Sequence, residues 1–556
     1  LAKKMTLFNT LKINLSNIEQ TENGLGVTTD FKTAKENGWV VALGDNQLLR
    51  FIRKLKDKEL NQSLLDELYQ ERNQLKSTNS SKKNSKRILE IQSKIDELLF
   101  IPDILTVKVD TSQKDYKHLC KNGFFVNISI NDKQYNIQYK RLCAGAGQLR
   151  RNSAMFVNVN LYDQLMKIML CGLDKTSIGK INPAKFGAYF ALFTSASREV
   201  KTPRICVVND YEYMLKDQMV DWIYELPNGE YDITQKNIDF KMNAFDGSGM
   251  ICPEMAKVWQ ENLGLDYLPS SFIVRSPWVK GLCSVFDFRK FAKEIVHTDK
   301  IKDIYGVEYD VNEIDVILTK SQFKLWDKYS NWQKYMYYHK LFGHIFSVTR
   351  VNKKESDFAT PLNYQYIQSN NFTDEQIKKL AEPTANWLNG ILQFNPVDVS
   401  ALMVGYHPEC TVTEIEDKLD DPIAKCLLYN QEILKDQYVQ KKISALAQKK
   451  IDQAKIGKIL VEGSYDFLIP DLYAMAENAF GLEVKGLLPY KTMYSRRWVE
   501  KGAKCVSTQR SPLVASAENQ VLNIYCDDKC REWFKYIEWG NIYNIWDLTI
   551  ISQSDA

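Results

Sequence analysis

No run of apolar residues in this 556-residue chain approaches the roughly 18 that cross a bilayer as a helix, and no signal peptide is visible. A membrane partner is therefore not expected. The 11 cysteines are scattered without a framework, which suits a reducing compartment better than a disulfide scaffold. The closest pair, Cys526 and Cys530, is separated by Asp527, Asp528 and Lys529 with no histidine nearby, so ordinary thiols outweigh a zinc site. Charge of one sign is lacking too. The formal net charge is +4, so bulk charge does not announce a nucleic-acid partner, although a local basic channel stays open. There is no low-complexity tail and no short-period repeat. What is present is ordinary for a globular protein, 44% hydrophobic and 26% charged, with length for several domains and a large core. Heavy use of Lys, Asn and Ile is consistent with an AT-rich genome.

Periodicity divides the chain. Leu60, Leu64, Leu68 and Leu75 fall mostly on one helical face, and Ile88, Ile91, Ile95 and Leu98 on another. The polar run Ser77–Ser85 between them predicts a helical hairpin, a structural arm ahead of a template contact. Strand-like segments stand at Leu105–Val109, Phe124–Ile130 and Tyr135–Tyr139. From about Arg204 to Phe323 β character dominates, interrupted by one helix around Pro253–Asn262. Lys324 to Lys455 reads as helical, with Trp326, Trp332, Tyr335, Tyr337 and Tyr338 taken as core before base-stacking platform. A second β-rich block begins near Lys458, and Trp546–Ile551 reads as its buried strand. The expected segments are 1–140, 141–203, 204–325, 326–455 and 456–556.

Several short motifs carry chemistry. Asp246-Gly247-Ser248-Gly249 is a tight turn whose glycines permit positive φ and close approach of another backbone. Lys280 precedes Gly281 at the mouth of an apolar strand, where a lysine can meet phosphate as a point charge; alone, a solvated edge lysine is the simpler reading. Gln509-Arg510-Ser511-Pro512 holds an arginine that can present its planar fork to a sugar or phosphate. The last residues, Ser552–Ala556, read as a loop placing Asp555 at a strand end. Were Asp-Gly-Asp to follow, three carboxylates in five residues would suit Mg²⁺. A chain starting at Leu1 and stopping there is expected to be a fragment. Ala144-Gly-Ala-Gly147 lacks the full glycine-rich nucleotide fingerprint.

In order, Asp-Gly-x-Gly, Leu268–Arg275, Lys280-Gly281, Arg-x-Pro and the Asp555 loop resemble the single-chain, two-barrel RNA polymerases. These comprise the RNA-dependent RNA polymerases of silencing and the phage single-chain enzymes. Gly147–Arg150 and Ala184–Ser197 resemble further family segments, and Glu462–Trp498 is nearer the phage branch. The resemblance implies an α+β fold of two double-psi β-barrels that face each other, the second incomplete, joined by a mainly helical connector. It also implies template-directed RNA synthesis from NTPs on a nucleic-acid template, with Mg²⁺. Lys280 and Arg275 would meet the triphosphate and Arg510 the ribose, Asp555 would bind metal, and Asp246, Gly247, Gly249 and Gly281 would line the nucleotide side. A DNA template and a phage or prophage setting in a bacterial cytoplasm are expected. The alternatives are an RNA template or a degenerate relative that only binds nucleic acid.

Overall fold

Strand Phe124–Ile130 buries every second side chain, Phe124, Val126, Ile128 and Ile130, as a strand with one face on a core must. In the computed structural model, which describes residues 5–22, 24–77, 82–174, 176, 178–353, 359–404, 421–510 and 519–548, this strand sits in an eight-stranded mixed sheet. The sheet core gathers Leu11, Ile13, Val107, Phe124, Val126 and Phe156, with the Phe124 and Phe156 rings edge to face at 5.5 Å. The helical hairpin stands where the spacing places it, at Gln62–Ser77 and Lys82–Leu99. Leu68, Ile91 and Ile95 are buried, but Leu65 takes the inward position expected of Leu64. Arg87 pairs with Glu71 at 2.8 Å across the two helices.

The fold is mixed α+β and divides into two units. One is Leu1–Asp210 with Phe245–Val351 and Asn478–Leu482; the other is Tyr211–Ala244 with Asn352–Glu477 and Glu483–Ala556. The first contains a seven-stranded sheet, of which five strands matter here: β1 (Ile205–Val208), β2 (Ser248–Ile251), β3 (Ser271–Ser276), β4 (Val279–Val285) and β5 (Val316–Thr319). Their order is β1-β5-β2-β4-β3. β1 and β5 are parallel, β5 and β2 antiparallel, β2 and β4 parallel, and β4 and β3 an antiparallel hairpin. β1, β2 and β5 are buried at every residue, which explains the unbroken apolar runs Ile205–Val208 and Val316–Leu318, while β2 takes up Ser248 and Gly249 from the end of the expected turn.

The five-stranded sheet of the second unit repeats this arrangement. Its strands are β6 (Leu468–Pro470), β7 (Thr492–Tyr494), β8 (Cys505–Thr508), β9 (Gln520–Ile524) and β10 (Asn541–Tyr543), in the order β6-β10-β7-β9-β8. The strand senses match pair for pair. Registers match as well. Cys206 and Met250 both face Ile317 in the first sheet, as Ile469 and Tyr494 both face Ile542 in the second. Ser248 faces Leu282, and Thr492 faces Asn523. The connections between first and second strands differ: the earlier copy inserts the hairpin Glu212–Glu225/Tyr231–Asn243, the later one the helix Leu472–Ala479.

Between the sheets in sequence lie mainly helices. Trp332 and Tyr335 are buried against Phe323, at 5.0 and 4.9 Å between ring centres, so that part of the aromatic stripe is core, whereas Tyr337 is exposed. Helices Asp374–Leu392 and Gln437–Lys455 pack around Trp387, Ile391, Ile443 and Ala447. One expectation fails. Trp546–Ile551 is not a strand in its described part, because Ile545–Leu548 is helical. Asn544 explains this: its Oδ1 accepts the Trp546 N–H at 2.9 Å, and its carbonyl accepts the Leu548 N–H at 2.9 Å. This local cap outweighs the β-branched pattern. Thr549–Ile551 lie outside the described residues.

A buried acid fixes the approach to β7. Asp471 Oδ1 accepts the N–H groups of Tyr473 and Ala474 at 3.0 and 3.2 Å, and Oδ2 those of Leu487 and Leu488 at 2.7 and 2.9 Å. Gly486, at φ +71°, leaves no room for a Cβ, which would lie 2.5 Å from Asp471 Oδ2. Burial pushes the carboxyl up to about 6, while the four N–H donors pull it back. Asp471→Asn turns one acceptor into a donor facing two N–H groups. It is expected to cost about 2 kcal/mol or more, read as a lowered midpoint in thermal unfolding; an unchanged midpoint would refute the loop's dependence on this acid.

Candidate active site

The hairpin of β3 and β4 turns through Pro277 and Trp278. Trp278 adopts φ +58°, a conformation rare outside glycine, and it is held there by burial and by its indole N–H donating to the Leu170 carbonyl at 3.2 Å. The turn places Arg275 directly opposite Lys280. Like charges at facing strand positions repel, yet among the described residues neither side chain makes an ion pair with a carboxylate. Arg275 Nη1 donates to the Val274 carbonyl at 2.8 Å, and its Nε is buried without a partner among those residues. Burial lowers this guanidinium to about 10. Lys280 is pulled down by burial, then by Arg275 and Lys324, with Asp246 opposing.

Lys324 adds a third cation. It is also lowered by burial, with Asp246 and Asp210 opposing and Lys185 contributing in the same direction as burial. Its ammonium donates to the Ser321 carbonyl and stands 5.5 Å from the ring centre of Tyr189. Tyr189 and Lys185 both come from helix α1 (Pro183–Phe190), capped by Asn182. Asp210 is already engaged, accepting from the Ser321 N–H at 2.8 Å and its hydroxyl at 2.6 Å. Cations therefore outnumber the free carboxylates here, and a polyanion would relieve their repulsion.

The Asp246–Gly249 turn is built against this hairpin. Gly247 has φ +69°; its N–H donates to Ser321 Oγ at 2.8 Å and its carbonyl accepts the Leu282 N–H at 2.8 Å. Gly249 and Gly281 answer a different need, space. Gln322, fully buried, passes between their strands. A Cβ on Gly249 would lie 2.5 Å from Gln322 Oε1, and one on Gly281 2.6 Å from both Gln322 Cγ and the Gly247 carbonyl.

Asp246, Gly247, Gly249, Arg275, Lys280 and Gly281 thus come together in the first unit. Arg510 lies in the second, half-buried and two residues past β8; Ser511, Pro512 and Asp555 lie outside the described residues. Among those residues no three of His, Cys, Asp and Glu gather to hold a metal, so the described donors do not by themselves fit the implied Mg²⁺. Lys324, Gln322, Ser321 and Asp210 escape sequence reasoning, since each belongs to a short polar stretch after an apolar strand that carries no motif. Lys185 and Tyr189 sit inside Ala184–Ser197, the segment whose family likeness was the available signal.

Behind Arg275, Ser276 Oγ bonds His339 Nε2 at 2.9 Å. His344 Nε2 faces the Ile168 carbonyl at 3.0 Å, so this nitrogen carries the proton and Nδ1 is bare. Burial pushes His339 down to about 4 and His344 to about 3. The folded pKa values lie below the unfolded one, so this stability is fully present above about pH 6.5 and is lost as pH falls toward 4, by about 3 kcal/mol for His339. Urea unfolding between pH 7.5 and 4.5 is expected to show that fall, flattened in His339→Gln; a flat wild-type profile would count against two buried neutral imidazoles.

Comparison with known proteins adds the following. DNA-directed RNA polymerase YonO of Bacillus phage SPbeta is 33% identical over 380 residues, covering 66% of this chain and 42% of that protein. The chain therefore spans less than half the length of this relative. Among solved structures, the RNA dependent RNA polymerase QDE-1 from Thielavia terrestris aligns with a TM-score of 0.48 at 11% identity, covering 98% of this chain and 51% of that one. The RNA dependent RNA polymerase family model matches residues 43–512, a span that includes both sheets' first strands, the glycine turn and the cationic hairpin, and the chain belongs to that family.

Proposed function

We propose that this chain carries the nucleotide-joining core of a template-directed RNA polymerase. The observation that carries the reading is the cation cluster of Arg275, Lys280 and Lys324, poorly matched by carboxylates and set against a glycine turn within a polymerase-family chain. The two repeated five-stranded motifs are read as the two double-psi barrels, with segment limits at 204–325 and 456–556 and a helical connector between them. A DNA template is favoured by the likeness to a DNA-directed enzyme; RNA as template is the second reading, favoured by the family match. A phage or prophage enzyme working in a bacterial cytoplasm fits that relative. No helix among the described residues is long and apolar enough to cross a membrane.

In nucleotidyl transfer the 3′-hydroxyl attacks the α-phosphate and pyrophosphate leaves. The lysines and Arg275 offset charge on the triphosphate, and do so most where charge grows on the leaving group. Partial burial of Arg275 and Lys324 strengthens their contacts relative to water. Arg510 bonds the ribose, and loss of such a contact leaves a buried polar group unpaired, which discriminates against a deoxyribose. Asp555 is assigned as a ligand of Mg²⁺, which when bound would activate the hydroxyl and neutralise the leaving group.

The test is incorporation of labelled ribonucleotides by the full polypeptide on DNA and RNA templates. Lys280→Ala is expected to lower the rate about 10²- to 10³-fold, and Arg510→Ala to narrow the preference for ribonucleotides. Undiminished synthesis by both variants would remove these roles. Binding of template without synthesis would favour a nucleic-acid-binding relative.

A further inference from the structure

The repeated motif identifies a position whose work sequence reasoning does not see. Ile317 and Ile542 correspond in register, and five residues beyond each stands a fully buried polar side chain, Gln322 in the first motif and Asp547 in the second. Each reaches the residue just before the second strand. Gln322 Nε2 donates to the Gly247 carbonyl at 3.3 Å; Asp547 Oδ2 accepts the Lys491 N–H at 2.7 Å. Gly247 and Lys491 share the left-handed backbone, at φ +69° and +62°. Their carbonyls accept from corresponding residues of the fourth strand, Leu282 at 2.8 Å and Asn523 at 3.0 Å. The motif thus closes the same way twice, with different chemistry.

In the first motif the closing residue also grips the strand that carries Lys280. Gln322 Nε2 donates to the Leu282 carbonyl at 2.9 Å, Oε1 accepts the Thr319 N–H at 3.1 Å, and the Gln322 carbonyl accepts the Lys280 N–H at 3.0 Å. We infer that Gln322 is a positioning residue, holding Lys280 at a fixed place relative to the Asp246–Gly247 turn so that both meet one triphosphate. This rests on the reading of Lys280 as a triphosphate ligand. The amide is suited to the task because its donors and acceptor are matched by two carbonyls and one N–H, and the glycines at 249 and 281 give it room. A carboxylate of the same shape would present oxygen to both carbonyls.

The experiment measures binding of inorganic tripolyphosphate to the chain by calorimetry at low salt, for wild type, Lys280→Ala, Gln322→Met, Gln322→Glu and each double variant with Lys280→Ala. Thermal unfolding of every variant is recorded alongside. Lys280→Ala is expected to weaken binding about tenfold. Either Gln322 variant should weaken it nearly as much, and the double variants no further, because the two residues act through one contact. At pH 8 Gln322→Glu should bind poorly relative to wild type, and at pH 6 recover, since a protonated carboxyl regains one donor; a purely structural role would not produce that pH profile. If Gln322→Met fails to fold, Gln322→Glu with its pH dependence decides. Losses that multiply independently, or full-strength binding by a folded Gln322 variant, would overturn the inference alone. If Lys280→Ala binds as wild type, the assignment of Lys280 falls first and this inference with it.

Discussion

A buried side-chain bridge from the end of the fifth strand to the start of the second is the constraint on which each sheet motif depends. In the strand order shared by both sheets, the fifth strand lies between the first and the second, so the chain leaving it must be tied back to the second strand's lead-in. The ladder between the two strands stops short of these residues, which lie beyond the strand ends. Gln322 does it in one copy and Asp547 in the other. A buried polar group left unmatched at such a place costs about 1–3 kcal/mol; Gln322 matches its amide fully, whereas Asp547 Oδ1 has no hydrogen-bond partner among the described residues. The glycine requirement at 249 and 281 follows from the space that Gln322 and the carbonyls of Ile317 and Gly247 occupy rather than from positive φ.

The two copies share a frame and differ in what they display. Arg275 faces Lys280 in the first sheet, and the corresponding facing pair in the second is Ser507 and Val521. The cations are therefore an addition to one copy, on strand positions that the motif leaves free. This is how a common scaffold acquires distinct chemistry, by changing residues that project from it while the buried bridges persist. It also accounts for the pressure on the first copy. A guanidinium and two ammoniums sit close together, each lowered by burial and Lys280 also by Arg275 and Lys324, an arrangement that makes sense when a polyanion completes it.

Much of this was legible in the sequence where one element decides its own structure. Phe124–Ile130 alternates and is a strand with alternating burial; the leucine and isoleucine spacing gives the helical hairpin; Asp246-Gly247-Ser248-Gly249, Arg275 and Lys280-Gly281 do converge. The family resemblance implied two barrels, but the residue-by-residue correspondence between the two sheets was not legible. Gly247 corresponds to Lys491 and Gln322 to Asp547, so register is preserved while residue type is not, and only strand pairing exposes the correspondence. Lys324 is invisible for a related reason, since its partners come from α1, from Asp210 and from the turn at Asp246, far apart in the chain. At Trp546–Leu548, the described part of a strand-like run, the pattern loses to a single asparagine cap, a local hydrogen bond that composition does not weigh.

The central claim, that a nucleoside triphosphate rests its phosphates on the Arg275–Lys280 hairpin, is met most directly by affinity labelling. An NTP analogue with an aldehyde on its terminal phosphate would be reduced onto the full polypeptide and the modified lysines mapped by mass spectrometry. Labelling of Lys280 and Lys324, suppressed by excess unmodified NTP, is the expected result. Labelling that avoids both lysines, or that excess NTP leaves unchanged, would contradict the account.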